Sequence, residues 1–150
     1  MKTKQREQVL EFINKFAGYD KEPEYNWEVI RKKFRAGYCY YFAHMLDLAF
    51  KGRGSVCLAA PFGHFVWIDS DKKIYDIEGE YKGEAYYFIP ETFIKLLNDM
   101  NMIHCPLDMF LHNGSMDFMS EKDCIDLMKL YCNFYKIEYD HKVEKYLRRD

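Results

Sequence analysis

At 150 residues, with 49% hydrophobic and 18% aromatic side chains, the chain has the length for one domain with a real core and is too apolar for a disordered segment. Its net charge of −2, with acids and bases interspersed, leaves no basic stripe and argues against nucleic acid as a partner. The N-terminal stretch MKTKQREQVLEFINKF is charged at every turn, which predicts neither a signal peptide nor a membrane helix, and so a cytoplasmic protein with reduced thiols.

Residues 4–17 place Val9, Phe12, Ile13 and Phe16 at helical spacing, ending at Gly18. A short helix over about 26–34 is predicted next, with Asn26 as N-cap and Trp27, Ile30 and Phe34 on one side. From Cys39 onward, Phe42, Ala43, Leu46, Ala49 and Phe50 follow the same spacing, giving a helix of about 13 residues stopped by Gly52 and Gly54. Strands are expected at 55–60, 64–69, 73–79 and 84–89; Pro90 then breaks the last, and 91–100 reads as a helix. The stretch 101–119 has no clear period. Helical spacing resumes over 120–135 behind an N-capping Ser120, and a last helix is expected at about 139–148. With no repeat or linker, the order is that of a single α+β domain over residues 1–150.

The five cysteines, at 39, 57, 105, 124 and 132, are odd in number and show no CxxC spacing, which disfavours a disulfide framework or a structural zinc site. Cys57, Cys124 and Cys132 fall on predicted core faces. Cys39 differs: it opens a helix, where free backbone N–H groups and the helix dipole favour a thiolate. Its own N–H is one of the unpaired donors of that first turn and can help hold an oxyanion. A thiol nucleophile needs a base, and the base needs an orienting acceptor. His64 opens the next strand but one from that helix, and Asp76 lies in the strand after it.

Register decides whether the last two meet. Strand side chains alternate, so His64, Val66 and Ile68 share a face, as do Ile74, Asp76 and Glu78. A hairpin loop of 69–71 puts His64 opposite Asp76. A loop of 70–72 puts it opposite Glu78 and diagonal to Asp76, and a two-residue loop separates the faces altogether.

RAGYCYYFAHML followed by GHFVWIDSDKKIYDIEGEY resembles the transglutaminase-like branch of the papain-like superfamily, in which a Gly-x-Cys helix start precedes a strand His and a strand Asp. RAGYC is also similar to the Arg-Gly-Gly-x-Cys pattern of arylamine N-acetyltransferases. The likeness covers about residues 35–81. It implies a papain-like core, with a central Cys-bearing helix packed on a small antiparallel sheet and further helices at both ends. It also implies Cys39 as nucleophile, His64 as base and Asp76 as orienting carboxylate. The glutamine that papain-like peptidases place shortly before the cysteine has no counterpart between Gln8 and Cys39; Asn26, Trp27 and the Tyr38 hydroxyl are the nearby donors.

The expected activity is thiol-dependent acyl transfer or amide hydrolysis on a peptide, amide or small acyl substrate, with no cofactor or metal. The alternative is an inactive binding or regulatory module that keeps the fold. His44, about 140° round the helix from Cys39, is expected to be exposed. His104, Cys105 and His112 match metal spacing poorly, and Asp69 with Asp71 reads as a hairpin turn without enough ligands for calcium. Tyr38, Tyr40 and Trp67 are candidate walls of a cleft beside Cys39, and the methionines of 100–119 a candidate lid.

Overall fold

Residues 2–18, 27–35, 38–109 and 119–147 are described by the computed structural model. The apolar spacings of the first third become helices α1 (Lys2–Ala17), α2 (Trp27–Arg35) and α3 (Cys39–Ala49). Asn26 and the stretch 110–118, with His112 and Met116 of the expected methionine lid, lie outside the described residues; of the rest of that lid, Met100 and Met102 are exposed and Met119 is buried. Strands β1 (Gly54–Ala60), β2 (His64–Asp69), β3 (Ile74–Asp76), β4 (Gly79–Glu80) and β5 (Tyr87–Pro90) follow, then α4 (Glu91–Asp99), a 3-10 turn at Leu107–Met109, and α5 (Glu121–Tyr135). Ser120 caps α5 as expected, its side chain accepting the Asp123 N–H at 3.0 Å. The last expected helix is a 3-10 segment, His141–Leu147, rather than an α-helix. Among the described residues, no helix is long and apolar enough to cross a membrane.

The five strands form one antiparallel sheet in the order β4-β3-β2-β1-β5. The expected strand 73–79 is split, because the Asp76 carboxylate accepts the Glu78 N–H at 2.8 Å and turns the chain at once into β4. Gly79 permits that turn with φ of +107°. Pro90 does not interrupt β5 but ends it, paired with Cys57. It sits on an edge strand, where a missing N–H costs least.

Pairing fixes which side chains share a face. Val56, Leu58, Ala60, Phe65, Trp67, Tyr75, Ile77, Tyr87 and Ile89 alternate with their neighbours and all belong to the main core cluster. Helices pack into that cluster through Val9, Ile13, Phe42, Leu46, Ile94, Leu97, Leu127 and Met128. The opposite face carries Cys57, Ala59, His64, Val66, Ile74, Asp76 and Phe88. The sheet therefore has a helix-backed face that supplies stability and a second face that carries the polar pair.

One connection shapes the second face. From Glu80 in β4 to Tyr87 in β5 the chain must pass β3, β2 and β1, four strand spacings or about 19 Å. Seven residue steps reach only about 25 Å when fully extended. Residues 81–86 are thus drawn across the sheet as a nearly taut strap, anchored where Tyr81 N–H donates to Ile74 O (2.7 Å) and Tyr86 N–H to Ala60 O (2.9 Å).

Candidate active site

The β2–β3 hairpin takes the 70–72 loop: Ile68 pairs with Ile74, Trp67 with Tyr75, and Asp69 N–H donates to Lys73 O at 2.9 Å. Asp69 makes this loop. Its Oδ1 accepts the backbone N–H groups of Asp71 and Lys73, each at 2.9 Å, while Oδ2 accepts Gln5 Nε2 at 3.0 Å from α1. Lys72 completes the turn in the left-handed region, φ 68°, as the third residue of a three-residue loop commonly does. The aspartate is a buried keystone of the hairpin rather than a simple solvent-facing turn residue.

In this register His64 stands diagonal to Asp76, and its Nε2 lies 3.0 Å from Asp76 Oδ2. Glu78 does not compete. The strand has already ended, and Glu78 is exposed and paired with Arg35 at the end of α2. Asp76 is held twice, by His64 and by the Glu78 N–H, and is 8% exposed.

Cys39 reaches the same place from the helix side. The β2–β3 ladder stops at Trp67 and Tyr75, and the Phe65 N–H donates to Cys39 Sγ at 3.5 Å. Strand N–H groups point within the sheet, so an acceptor on Phe65 N–H lies beside β2 and not above it. The sulfur of a helix-face residue thereby meets a histidine that belongs to the other face of the sheet. His64 also lies close enough to Cys39 for the sulfur, alongside Asp76, to act on its titration. With Nε2 directed at Asp76, Nδ1 is the ring atom left for sulfur.

Burial works against a charged His64, but the hydrogen bonds to Asp76 and Cys39 and their negative charge outweigh it and raise its pKa to about 9. The ring of Tyr81, from the strap, stacks on His64 with centroids 5.6 Å apart and planes 25° apart. Tyr81 was no candidate from the sequence, since only the crossing of the strap brings it there. Its hydroxyl donates to Glu84 O at 3.2 Å, and Gly83 leaves room for it: a Cβ on Gly83 would collide with that hydroxyl.

The Cys39 N–H lies in the first turn of α3, where intrahelical partners are lacking; the first helical bond runs from Phe42 N–H to Tyr38 O at 3.1 Å. The Tyr38 N–H is already engaged with Lys33 O at 3.0 Å. The Tyr38 ring is partly exposed and leans on Phe34 and Tyr41.

Two expectations around the site are corrected. His44 is half-buried and partnered rather than free in solvent: its Nε2 lies 2.6 Å from Glu91 Oε2, at the start of α4, and its side chain is 34% exposed. The first turn of α4 brings a buried carboxylate against that side of α3, and Tyr40 binds the same carboxylate. Although burial raises the Glu91 pKa, the hydrogen bonds from His44 and Tyr40 hold it below the usual value. The expected cleft of Tyr38, Tyr40 and Trp67 does not form either. Trp67 is fully buried and donates to Asp47 Oδ1 at 3.0 Å, because its position in β2 faces the helices.

The remaining cysteines are core residues. Burial pushes the Cys57 thiol up to about 11 and that of Cys105 up to about 12. His104 is exposed beside the fully buried Cys105, and among the described residues no group of three or more His, Cys, Asp or Glu is placed to hold a metal ion.

A family model described as Phage YunG-like protein matches residues 12–122. The match covers well over half of the chain and includes Cys39, His64 and Asp76, so the chain belongs to this family. No curated protein and no solved structure matches it.

Proposed function

We propose that this Phage YunG-like chain is a thiol enzyme of the transglutaminase-like, papain-like kind, acting on an amide or related acyl substrate through Cys39, His64 and Asp76. The observation that supports the reading is the position of His64, 3.0 Å from the buried Asp76 and beside Cys39, whose sulfur accepts the N–H of the next residue, Phe65. The Cys39 thiolate attacks the carbonyl, forming the C–S bond as the oxygen takes up the electron pair. Protonated His64, favoured at neutral pH by its raised pKa, gives its proton to the leaving nitrogen as the C–N bond breaks. Asp76 holds the ring and offsets its charge throughout. The resulting thioester is resolved by water or by an amine, with His64 now taking the proton. Hydrolysis and aminolysis share this first half and differ only in which nucleophile reaches the acyl-enzyme.

The test is to treat the protein with iodoacetamide near neutral pH and map the adducts by mass spectrometry, then repeat with p-nitrophenyl acetate to trap an acetyl-thioester. Cys39 is expected to react at least about tenfold faster than the other four thiols, with the advantage lost in His64→Ala. Equal, slow reaction of all five would sink the enzyme reading. A second reading, a binding module on the same scaffold, is favoured by the burial of Cys39, which is 2% exposed. That reading expects alkylation without any acetyl adduct.

A further inference from the structure

A groove of about 430 Å³ runs along the second face of the sheet, beside the candidate site. Its lining includes Ile74, Tyr81, Tyr86, Phe88 and Tyr146, with the strap residues Gly83 to Ala85 along one wall. The groove and the histidine share a face by register: Ile74 pairs with Ile68, and Phe88 pairs with Ala59, which in turn pairs with His64. They also share a side chain, since Tyr81 both lines the groove and stacks on the His64 ring.

The chemistry of the walls selects the occupant. Tyr81 donates its hydroxyl to Glu84 O, and the Tyr86 and Tyr146 side chains lie against each other. The groove offers a ligand ring surface and the Ile74 side chain, with the exposed Glu84 of the strap on its wall. The rings are set for edge and face contact, with Tyr81 and Phe88 perpendicular at 6.3 Å and Tyr86 and Tyr146 tilted at 5.9 Å. The volume falls in the range of small-molecule sites, about 300–1,000 Å³. A flat apolar ring gains offset or edge-to-face contacts here, and Glu84 on the strap disfavours an anionic group.

We propose that this groove is the specificity pocket of the Cys39 site and receives an aromatic side chain flanking the attacked carbonyl of a peptide or amide substrate. The assignment rests on the reading of Cys39, His64 and Asp76 as the catalytic group. Because Tyr81 forms the partition between groove and histidine, an aryl group seated there packs against the same ring that covers His64. Tyr146, 45% exposed and flanked by Phe62 at 5.0 Å, closes the outer end.

Two affinity labels separate this assignment from the reading beneath it: N-acetyl-phenylalanyl chloromethyl ketone and its alanyl counterpart. With either, the Cys39 thiolate displaces chloride, a C–S bond replacing the C–Cl bond, and the site of attachment is read by mass spectrometry. The phenylalanyl label is expected to modify Cys39 at least about tenfold faster at sub-saturating concentration, a discrimination within reach of an apolar pocket. The ratio is expected to fall to about twofold or less in Tyr146→Ala and, as a second variant, Tyr86→Ala. Equal rates for the two labels, or a preference that survives both substitutions, would overturn the pocket and leave the thiol site standing. If neither label nor iodoacetamide modifies Cys39 selectively, the catalytic reading fails and the pocket falls with it.

Discussion

Asp76→Asn probes the centre of the site with the least disturbance of shape. The amide keeps an oxygen for the Glu78 N–H and removes the negative charge that faces His64 Nε2. In the native chain His64 titrates near about 9 against 6.5 for a free imidazole, about 2.5 units, or about 3 kcal/mol of preference for the charged ring. Its side chain is only 19% exposed, so solvent screens little of this. The folded pKa lies above the unfolded one, so this contribution is complete below about pH 6.5 and is lost as pH rises toward about 9. Removing an opposite charge at hydrogen-bond distance lowers a pKa by roughly 1–3 units. The His64 ring, followed by NMR, should therefore titrate that much lower in the variant. Urea unfolding across the same window should show a His64-dependent loss of about 3 kcal/mol in the native protein and about 2 kcal/mol or less in Asp76→Asn. The buried thiols of Cys57 and Cys105, pushed up to about 11 and about 12, also penalise folding as free thiols begin to ionise near about pH 8.5. They do so in both proteins, and the difference between the two profiles cancels them. Parallel profiles, or a ring titration that does not move, would refute the reasoning.

Three further substitutions test the frame around the site. Asp69→Ala strips partners from the N–H groups of Asp71 and Lys73, and should lower stability by about 2–4 kcal/mol in urea unfolding. Reactivity of Cys39 toward iodoacetamide should fall with it, because the same loop sets the register of Asp76. Gly54→Ala places a Cβ against the Ile68 carbonyl and within 2.6 Å of the Trp67 ring; thermal unfolding should show a loss of about 1–3 kcal/mol. His44→Ala leaves the buried Glu91 carboxylate with Tyr40 and Lys95 only, and should cost about 1–3 kcal/mol at neutral pH. The folded Glu91 pKa lies below its unfolded value, so that cost is present above about pH 4.3 and should shrink as the solution is acidified, which chemical denaturation at several pH values can follow.

Local pattern in the sequence determined most of the elements. Spacing of three and four residues marked α1, α3 and α5, and alternation with Gly-rich punctuation marked β1 and β2, because these periods are properties of the backbone itself. It also singled out Cys39, whose place at a helix start is a local fact, and ordered His64 and Asp76 after it. Long-range structure alone decided whether the three meet. The choice of Asp76 over Glu78 depended on Asp69, whose buried carboxylate sets a 70–72 loop, and on the Asp76–Glu78 turn that ends β3. The meeting of Cys39 with His64 required the ladder to stop short, so that Phe65 N–H receives sulfur. His44 was misjudged because its partner, Glu91, lies 47 residues away. Tyr81 was invisible because strand order forces the strap across the sheet, and no periodicity in the chain encodes that order. A helix start is a local feature that favours a thiolate at Cys39; the His64–Asp76 contact and the approach of Cys39 to β2 join distant segments, and only the packed sheet supplies them.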